Sequence, residues 1–396
     1  MSPRLAANPT PRTFGAVRIY LDHNATTPPR AEVVEAMLRA LREGWGNPSS
    51  VHAEGAAARA CVERARGEVA ALLGARPGEV VFTAGATEAN NALLCSVAGR
   101  GRGRHLVTTS VEHPSVREPT AALAAEGCEV STLPVDAEGL VDPDALEAAL
   151  RPDTALVSVL WANNETGVVQ PLPEIAERVK AKGLLLHVDA TQALGKHPVD
   201  LRRVPVDYLA CSAHKMNGPK GVGALFVREG APFEPWLRGG AQERGRRGGT
   251  EDVAGIAGFG AACRLARDEL AGRIERWSGL RDRLWDGIQA KVPRVRRNGS
   301  ARRVLCNTLN VEFVGADGEA LLQALDLEGV AVSSGAACHS GSISPSAVLL
   351  AMGRTPEQAR ASLRFSVGHD VNGPQIDRVL ALLPDLVARA RGVGGP

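Results

Sequence analysis

The sequence predicts an α/β fold with a mostly parallel central sheet, in a chain long enough for more than one domain. Two observations carry this. From about residue 79, short apolar runs alternate with helical patterns, and turn residues stand between them. That is how strands and crossover helices alternate in a parallel sheet. The chain, at 396 residues, is also long enough for two domains, or for one domain with an appendage.

The strand candidates are, in order, EVVFTAG, HLVTTS, EVSTLPV, ALVSVLWA, LLLHVDA, DYLACSA and VGALFV. A polar residue with chemical capability sits at or just past the C-terminal end of several of them. Thr87 follows the first run, His113 the second and Asn164 the fourth; Asp189 ends the fifth, and His214 and Lys215 follow the sixth. Alone, a histidine after a strand is ordinarily a loop residue, and an aspartate there is ordinarily a helix cap. Together they fall on the sheet edge where open α/β folds bind ligands.

These residues have complementary chemistry for an aromatic phosphate that carries a ring nitrogen and an aldehyde. In FTAGATEANNALL, the turn at Gly85, Ala86 and Thr87 leads into a helix whose free N–H groups suit a phosphate, and the Thr87 hydroxyl adds a donor. Asp189 in HVDATQ can keep a pyridine nitrogen protonated, and Gln192 follows within reach of a ring oxygen. Lys215 in SAHKMNGPKG, beside Ser212 and His214, is an amine suited to a Schiff base. Lys220, past Gly218 and Pro219, is the competing amine.

Composition excludes several classes. A net charge of +2 and a pI near 8.2 lack the basic excess of nucleic-acid binders. GRGRGR and ERGRR read as solvated loops. No apolar run approaches the ~20 residues of a membrane span, and MSPRLAANPTPRTFG lacks the hydrophobic stretch of a secretory signal, so the protein is expected in the cytoplasm with a disordered first segment. Seven cysteines at irregular positions make neither a disulfide framework nor a metal-ligand spacing. Cys61, Cys95, Cys128, Cys211, Cys263 and Cys306 read as structural thiols.

The seventh, Cys338, lies in SSGAACHSGS (Ser333–Ser342), among glycine, alanine and serine. Such residues provide no apolar payload and leave the backbone free, so the segment reads as a loop that presents its thiol. Taken alone it is a tight surface turn with an incidental cysteine.

The segments YLDHNATTP, WGNPSS, GATEANN, VEHPSV, WANNETGVV, HVDATQALGK, SAHKMNGPKGVG, RGGAQERGRRGGTE and SSGAACHSGS, in this order and spacing, resemble one family. They are those of the pyridoxal 5'-phosphate (PLP)-dependent cysteine desulfurases (NifS/IscS-like) of the fold-type I, class V aminotransferase group, close to the selenocysteine lyases. The resemblance runs from Tyr20 to about Asp370.

It implies that Lys215 holds the cofactor, Asp189 pairs with the ring nitrogen and His113 stacks on the ring face. It places Ala86, Thr87, Ser212 and His214 at the phosphate, with Thr250 arriving from a second subunit of a homodimer. Asn164 and Gln192 would contact the ring oxygen or substrate, and Arg364 would clamp the substrate carboxylate. Cys338 would be the nucleophile that takes sulfur from L-cysteine, leaving L-alanine, and that passes a persulfide to an acceptor protein in iron–sulfur cluster or thio-cofactor biosynthesis. Gly335, Ala336, Ala337 and Gly341 would then supply the pliancy such a carrier needs.

The Ala-Ala-Cys-His form, with Ala336 and His339 in place of the serine and threonine of many desulfurases, also occurs in selenocysteine lyases. L-selenocysteine is therefore the alternative substrate, and plain transamination a further alternative. Asn217 replaces a common aromatic, and RARGVGGP stops short of the tail by which some relatives dock a scaffold. The domains expected are an N-terminal segment 1–22 packing with the small domain, a large PLP-binding domain 23–271, and a smaller α/β domain 272–396, with GIAGFGAACRLARDEL as the helical link.

Overall fold

The computed structural model describes residues 18–97, 103–334, 338–339 and 342–393. The chain enters through β1 (Ile19–Tyr20) and two helices, α1 (Ala31–Glu43) and α2 (Ala53–Leu73). The seven expected strands follow as β2 (Val80–Thr83), β3 (His105–Thr109), β4 (Glu129–Leu133), β5 (Thr154–Leu160), β6 (Leu186–Asp189), β7 (Tyr208–Ser212) and β8 (Gly223–Val227). They form one sheet in the order β2-β8-β7-β6-β5-β3-β4. Helices α3 (Ala86–Val97), α4 (Pro114–Ala125), α5 (Pro143–Ala149) and α6 (Leu172–Ala181) connect them.

From β4 to β7 the neighbours run parallel. The exception is VGALFV: β8 runs antiparallel to both β7 and β2. Residues 213–222 join β7 to β8, too short a stretch for the helical crossover that a parallel neighbour needs.

Apolar runs, and not alternating ones, make these strands because both faces of the sheet are covered. Val107, Val157, Val188 and Leu209 bury one face with α2 and α6 residues. Their chain neighbours Leu106, Leu156 and Tyr208 bury the other, with Leu93, Leu94 and Val116 from α3 and α4. Each such side chain contributes about 1.5–3 kcal/mol on burial. The period-two alternation decides which face it serves.

Helix α7 (Val253–Lys291) starts at Asp252, whose carboxylate accepts from Gly255 N at 2.9 Å. Its first half gives Ile256, Phe259 and Cys263 to the core of the large sheet. Trp277, Leu284 and Ile288, from the second half, join a separate core. That core packs a three-stranded antiparallel sheet of β9 (Val295–Asn298), β10 (Thr308–Phe313) and the later β14 (Ser362–Ser366), ordered β14-β10-β9. Helices α8 (Gly318–Leu327) and α11 (Gly373–Val393) pack with it. Between α8 and β14 come β11 (Val330–Ala331), β12 (Cys338–His339), β13 (Ser342–Ile343), α9 (Ala347–Ala351) and α10 (Pro356–Arg360). The N-terminal strand belongs with this layer: β1 pairs in parallel with β11, and Ile19 and Leu21 bury in the same core.

The segment RGGAQERGRRGGTE is fixed to the sheet by one buried ion pair. Glu243 and Arg244 both have left-handed backbone, φ 49° and 60°, which costs a non-glycine residue free energy. Arg66 on α2 offsets this by gripping Glu243 bidentately, at 2.7 and 2.8 Å, while Glu243 also accepts from Phe82 N at 2.8 Å. Farther along, Arg247 donates to Glu88 at 2.9 Å, so the segment carrying Thr250 is tied to the start of α3.

Candidate active site

A cavity of about 660 Å3 opens at the C-terminal ends of the parallel strands. That lies within the roughly 300–1,000 Å3 of small-molecule sites. It collects side chains that are distant in sequence. At one end lie Ala86, Thr87, Ser212 and His214. The first two open α3, whose leading N–H groups have no helical partner and carry the positive end of the helix dipole. The turn there requires glycine: Gly85 has φ 147°, and a Cβ on the facing Gly223 would sit 2.7 Å from Gly85 Cα. The two backbones thus touch where Gly85 lines the cavity.

At the centre are Asp189, ending β6, and His113, capping α4. Asp189 is buried; its Oδ1 accepts from Thr191 N and its Oδ2 from Asn90 Nδ2, each at 2.9 Å. His113 Nδ1 accepts from Ser115 N at 3.1 Å, while its ring is open to the cavity. The surrounding protein pushes its pKa below the ordinary value; Asp189 opposes that shift and Lys215 adds to it.

Lys215 lies in the short turn after β7. Its Nζ donates to the carbonyls of Asn24 at 2.7 Å and Ala25 at 2.6 Å. Burial, reinforced by Arg364, pushes this amine down to about 8 against the pull of Asp22 and Asp189. Lys220, the competing amine, lines the same cavity but is exposed.

Gln192 and Asn164 complete the wall. The Gln192 amide donates to Asn24 O at 2.9 Å, and its oxygen accepts from the buried Lys196 at 2.5 Å. The Asn164 carbonyl accepts from Arg364 Nη1 at 2.9 Å. Arg364 is buried, donates through Nη2 to Asp22 at 2.6 Å, and keeps an Nε with no partner. It stands beside the cavity, behind Asn164. Thr250 is exposed and does not line the cavity of a single chain.

For Cys338 the backbone alone is described. It pairs with Ile343 in a small antiparallel hairpin, while its side chain and residues Gly335, Ala336, Ala337 and Gly341 lie outside the described residues. Both stems of the segment are anchored next to the substrate-binding candidates. Ser333 N donates to Arg364 O at 3.2 Å, and Arg364 N to Ser333 O at 2.6 Å. On the far side Ser346 caps α9 and donates to Glu165, the neighbour of Asn164.

The sequence matches one family model, Aminotransferase class-V, over residues 19–379. The chain belongs to the class-V aminotransferase family. The chain is 46% identical over 376 residues to a protein named cysteine desulfurase from Trichormus azollae, covering 95% of this chain and 94% of that one. It is 43% identical over 377 residues to cysteine desulfurase IscS of Methanosarcina thermophila, covering 95% and 93%. Among solved structures, a NifS-like protein superposes with a TM-score of 0.89 at 37% identity, covering 94% of this chain and all of that one.

Several residues that shape the site have no role assignable from the sequence alone. Asn24 and Asp22 lie in the quoted YLDHNATTP, Asn90 in GATEANN and Lys196 in HVDATQALGK, each as an unassigned member of a motif. Glu112, one residue before His113, is fully enclosed and its pKa is pushed up to about 8 by burial. Its Oε1 accepts from Thr109 and Leu160 N, and its Oε2 has no partner. The folded state therefore binds a proton here that the unfolded chain releases above its ordinary value of 4.5. That contribution to stability is complete below 4.5 and is lost as pH rises toward 8. Glu112→Gln, which carries no such proton, is expected to match the parent in thermal unfolding near pH 5 and to gain on it steadily toward pH 8. Melting curves that stay parallel across this range would refute the assignment.

Proposed function

We propose that this protein is a PLP-dependent cysteine desulfurase, which converts L-cysteine to L-alanine and leaves a persulfide on Cys338 for an acceptor protein. The observation that carries the reading is the pairing of Lys215, its pKa pushed down to about 8, with the buried carboxylate of Asp189 in one cavity. The names of the relatives support cysteine over selenocysteine as substrate.

The donor set fits PLP. The start of α3 with Thr87, Ser212 and His214 suits a phosphate; Asp189, with one protein donor on each oxygen, keeps lone pairs for a ring N–H; Gln192, which lines the same cavity, would contact the ring oxygen. When bound, PLP supplies an aldehyde for the substrate amine and a protonated ring that draws electrons from the α-carbon. Lys215 Nζ, with its lowered pKa, can accept and return the α-proton near neutral pH. Arg364 has a buried, unpartnered Nε to offer the substrate carboxylate beside Asn164. His113 would stack on the ring face, where burial disfavours its charged form.

We also propose a homodimer, with the large domain over 23–271 and the small domain over 272–396. Val34, Leu38, Leu41 and Trp45 leave an apolar face of the α1 segment exposed, which suits a second copy. Thr250, exposed and tied through Arg247 to the start of α3, would reach the phosphate of the partner's site. Free cysteines at Cys61, Cys95, Cys128, Cys211, Cys263 and Cys306 suit the cytoplasm. Among the described residues no helix is long and apolar enough to cross a membrane.

The test is an assay of alanine formed from cysteine and from selenocysteine side by side, at a concentration where sedimentation gives the mass. The expected result is alanine from cysteine by a dimer. Asp189→Asn should bind substrate comparably but lose kcat on the order of 10²-fold, the scale of a lost electrostatic partner. No alanine from cysteine, or full activity in a monomer, would overturn the corresponding part.

A further inference from the structure

Asp189 and His113 reach the cavity from different elements, yet one buried amide joins them. Asn90 is completely buried in α3. Its Nδ2 donates to Asp189 Oδ2 at 2.9 Å and to Ser115 Oγ at 2.9 Å. An amide nitrogen has two hydrogens, so both are used. Turning the amide over would set its oxygen against the Asp189 carboxylate, acceptor against acceptor, and chemistry therefore fixes its orientation.

The direction of the next bond follows. A Ser115 hydroxyl that accepts from Asn90 keeps its own hydrogen for His113 Nδ1, 2.8 Å away. The Ser115 backbone N–H points at the same nitrogen, at 3.1 Å. With two donors aimed at Nδ1, the ring carries its proton on Nε2.

We propose that Asn90 and Ser115 are positioning residues that hold Asp189 Oδ2 as a hydrogen-bond acceptor and His113 as the neutral Nε2–H tautomer at the same time. Because Asn90 donates in both directions, it transmits no proton between the two; it separates them. Protonating His113 at Nδ1 would set a new N–H against both Ser115 donors, which now point at the nitrogen lone pair. The charges acting on His113 agree with the arrangement: burial and Lys215, with Arg117, disfavour the cation, and Asp189 is the one that favours it. A carboxylate at the ring-nitrogen end and an uncharged group over the ring face are thereby set by one side chain.

The inference rests on the reading of Asp189 and His113 as cofactor-facing residues, so its test has a readout separate from turnover. The full-length protein, with and without PLP, is labelled with 15N-histidine, and the His113 signals among its nine histidines are assigned by their loss in His113→Gln. The parent should show an unprotonated Nδ1 and a protonated Nε2 from pH 6 to 8. Ser115→Ala and Asn90→Ala should mix the tautomers, raise the apparent pKa of His113 and lower kcat roughly ten- to hundredfold with little change in KM. Ser115→Thr, which keeps the hydroxyl, should restore the parent spectrum. Parent-like His113 signals in folded Ser115→Ala and Asn90→Ala would overturn the proposal; if Asn90→Ala does not fold, the Ser115→Ala and Ser115→Thr pair decides it. A parent that makes no alanine from cysteine would instead overturn the functional reading and leave the histidine result standing.

Discussion

Lys215→Ala is expected to remove both cysteine turnover, by several orders of magnitude, and the yellow absorbance of protein purified with PLP. Nζ is held by two backbone carbonyls, which accept from an amine whether or not it is charged, and among the described residues no carboxylate is paired with it. Burial and Arg364 can therefore push its pKa down to about 8. An exposed lysine at pH 8 is less than about one per cent free amine. Lys215 is about half free at that pH, which is the form that attacks an aldehyde or takes a proton. Lys220 lies in the same cavity but is exposed. Borohydride reduction of the wild-type enzyme should fix the cofactor on Lys215; a label on Lys220 would refute this.

The edge of the sheet was legible because strand ends are a local property. The runs ending at Thr83, Thr109, Leu160, Asp189 and Ser212 are apolar enough to place themselves, and the residues just beyond them then have to meet at one edge. The direction of β8 was less accessible, since VGALFV has the same composition as a parallel strand and differs only in the length of its connection.

The hydrogen-bond network behind the cavity was not legible at all. Asn24 shows why: its carbonyl accepts from Lys215 and Gln192, its Nδ2 donates to Thr308 Oγ1 at 2.9 Å, and its Oδ1 accepts from Asn307 at 3.0 Å. Those partners lie 168 to 284 residues away in the chain. An asparagine between turn residues carries no periodicity that points to them. The same holds for Asn90, which on sequence alone is one polar residue in a helix. Its importance comes from two neighbours, Asp189 at the end of β6 and Ser115 at the start of α4, that the topology brings within 2.9 Å.

Cys338→Ala is expected to keep its cofactor and its fold while losing cysteine turnover by roughly 10³-fold or more, as removal of a nucleophile does. The thiolate attacks the substrate sulfur; the new S–S bond forms as the C–S bond breaks, and that electron pair stays with the three-carbon fragment that becomes alanine. No side chain of the described cavity wall can take that role, since Ser212, Thr87 and the lysines do not form a persulfide; Cys211, outside the wall, is buried with its thiol pushed up to about 12. Both stems are anchored, Ser333 to Arg364 and Ser346 to Glu165, so the segment bearing Cys338 starts and ends beside the residues proposed to bind the substrate carboxylate. Selenocysteine separates the two family readings in the same variant. Selenium leaves carbon more readily than sulfur, so part of the selenocysteine turnover should survive without the thiol, while turnover of cysteine should not. A Cys338→Ala enzyme that desulfurates cysteine at the wild-type rate would remove the nucleophile from this account and return SSGAACHSGS to an ordinary surface turn.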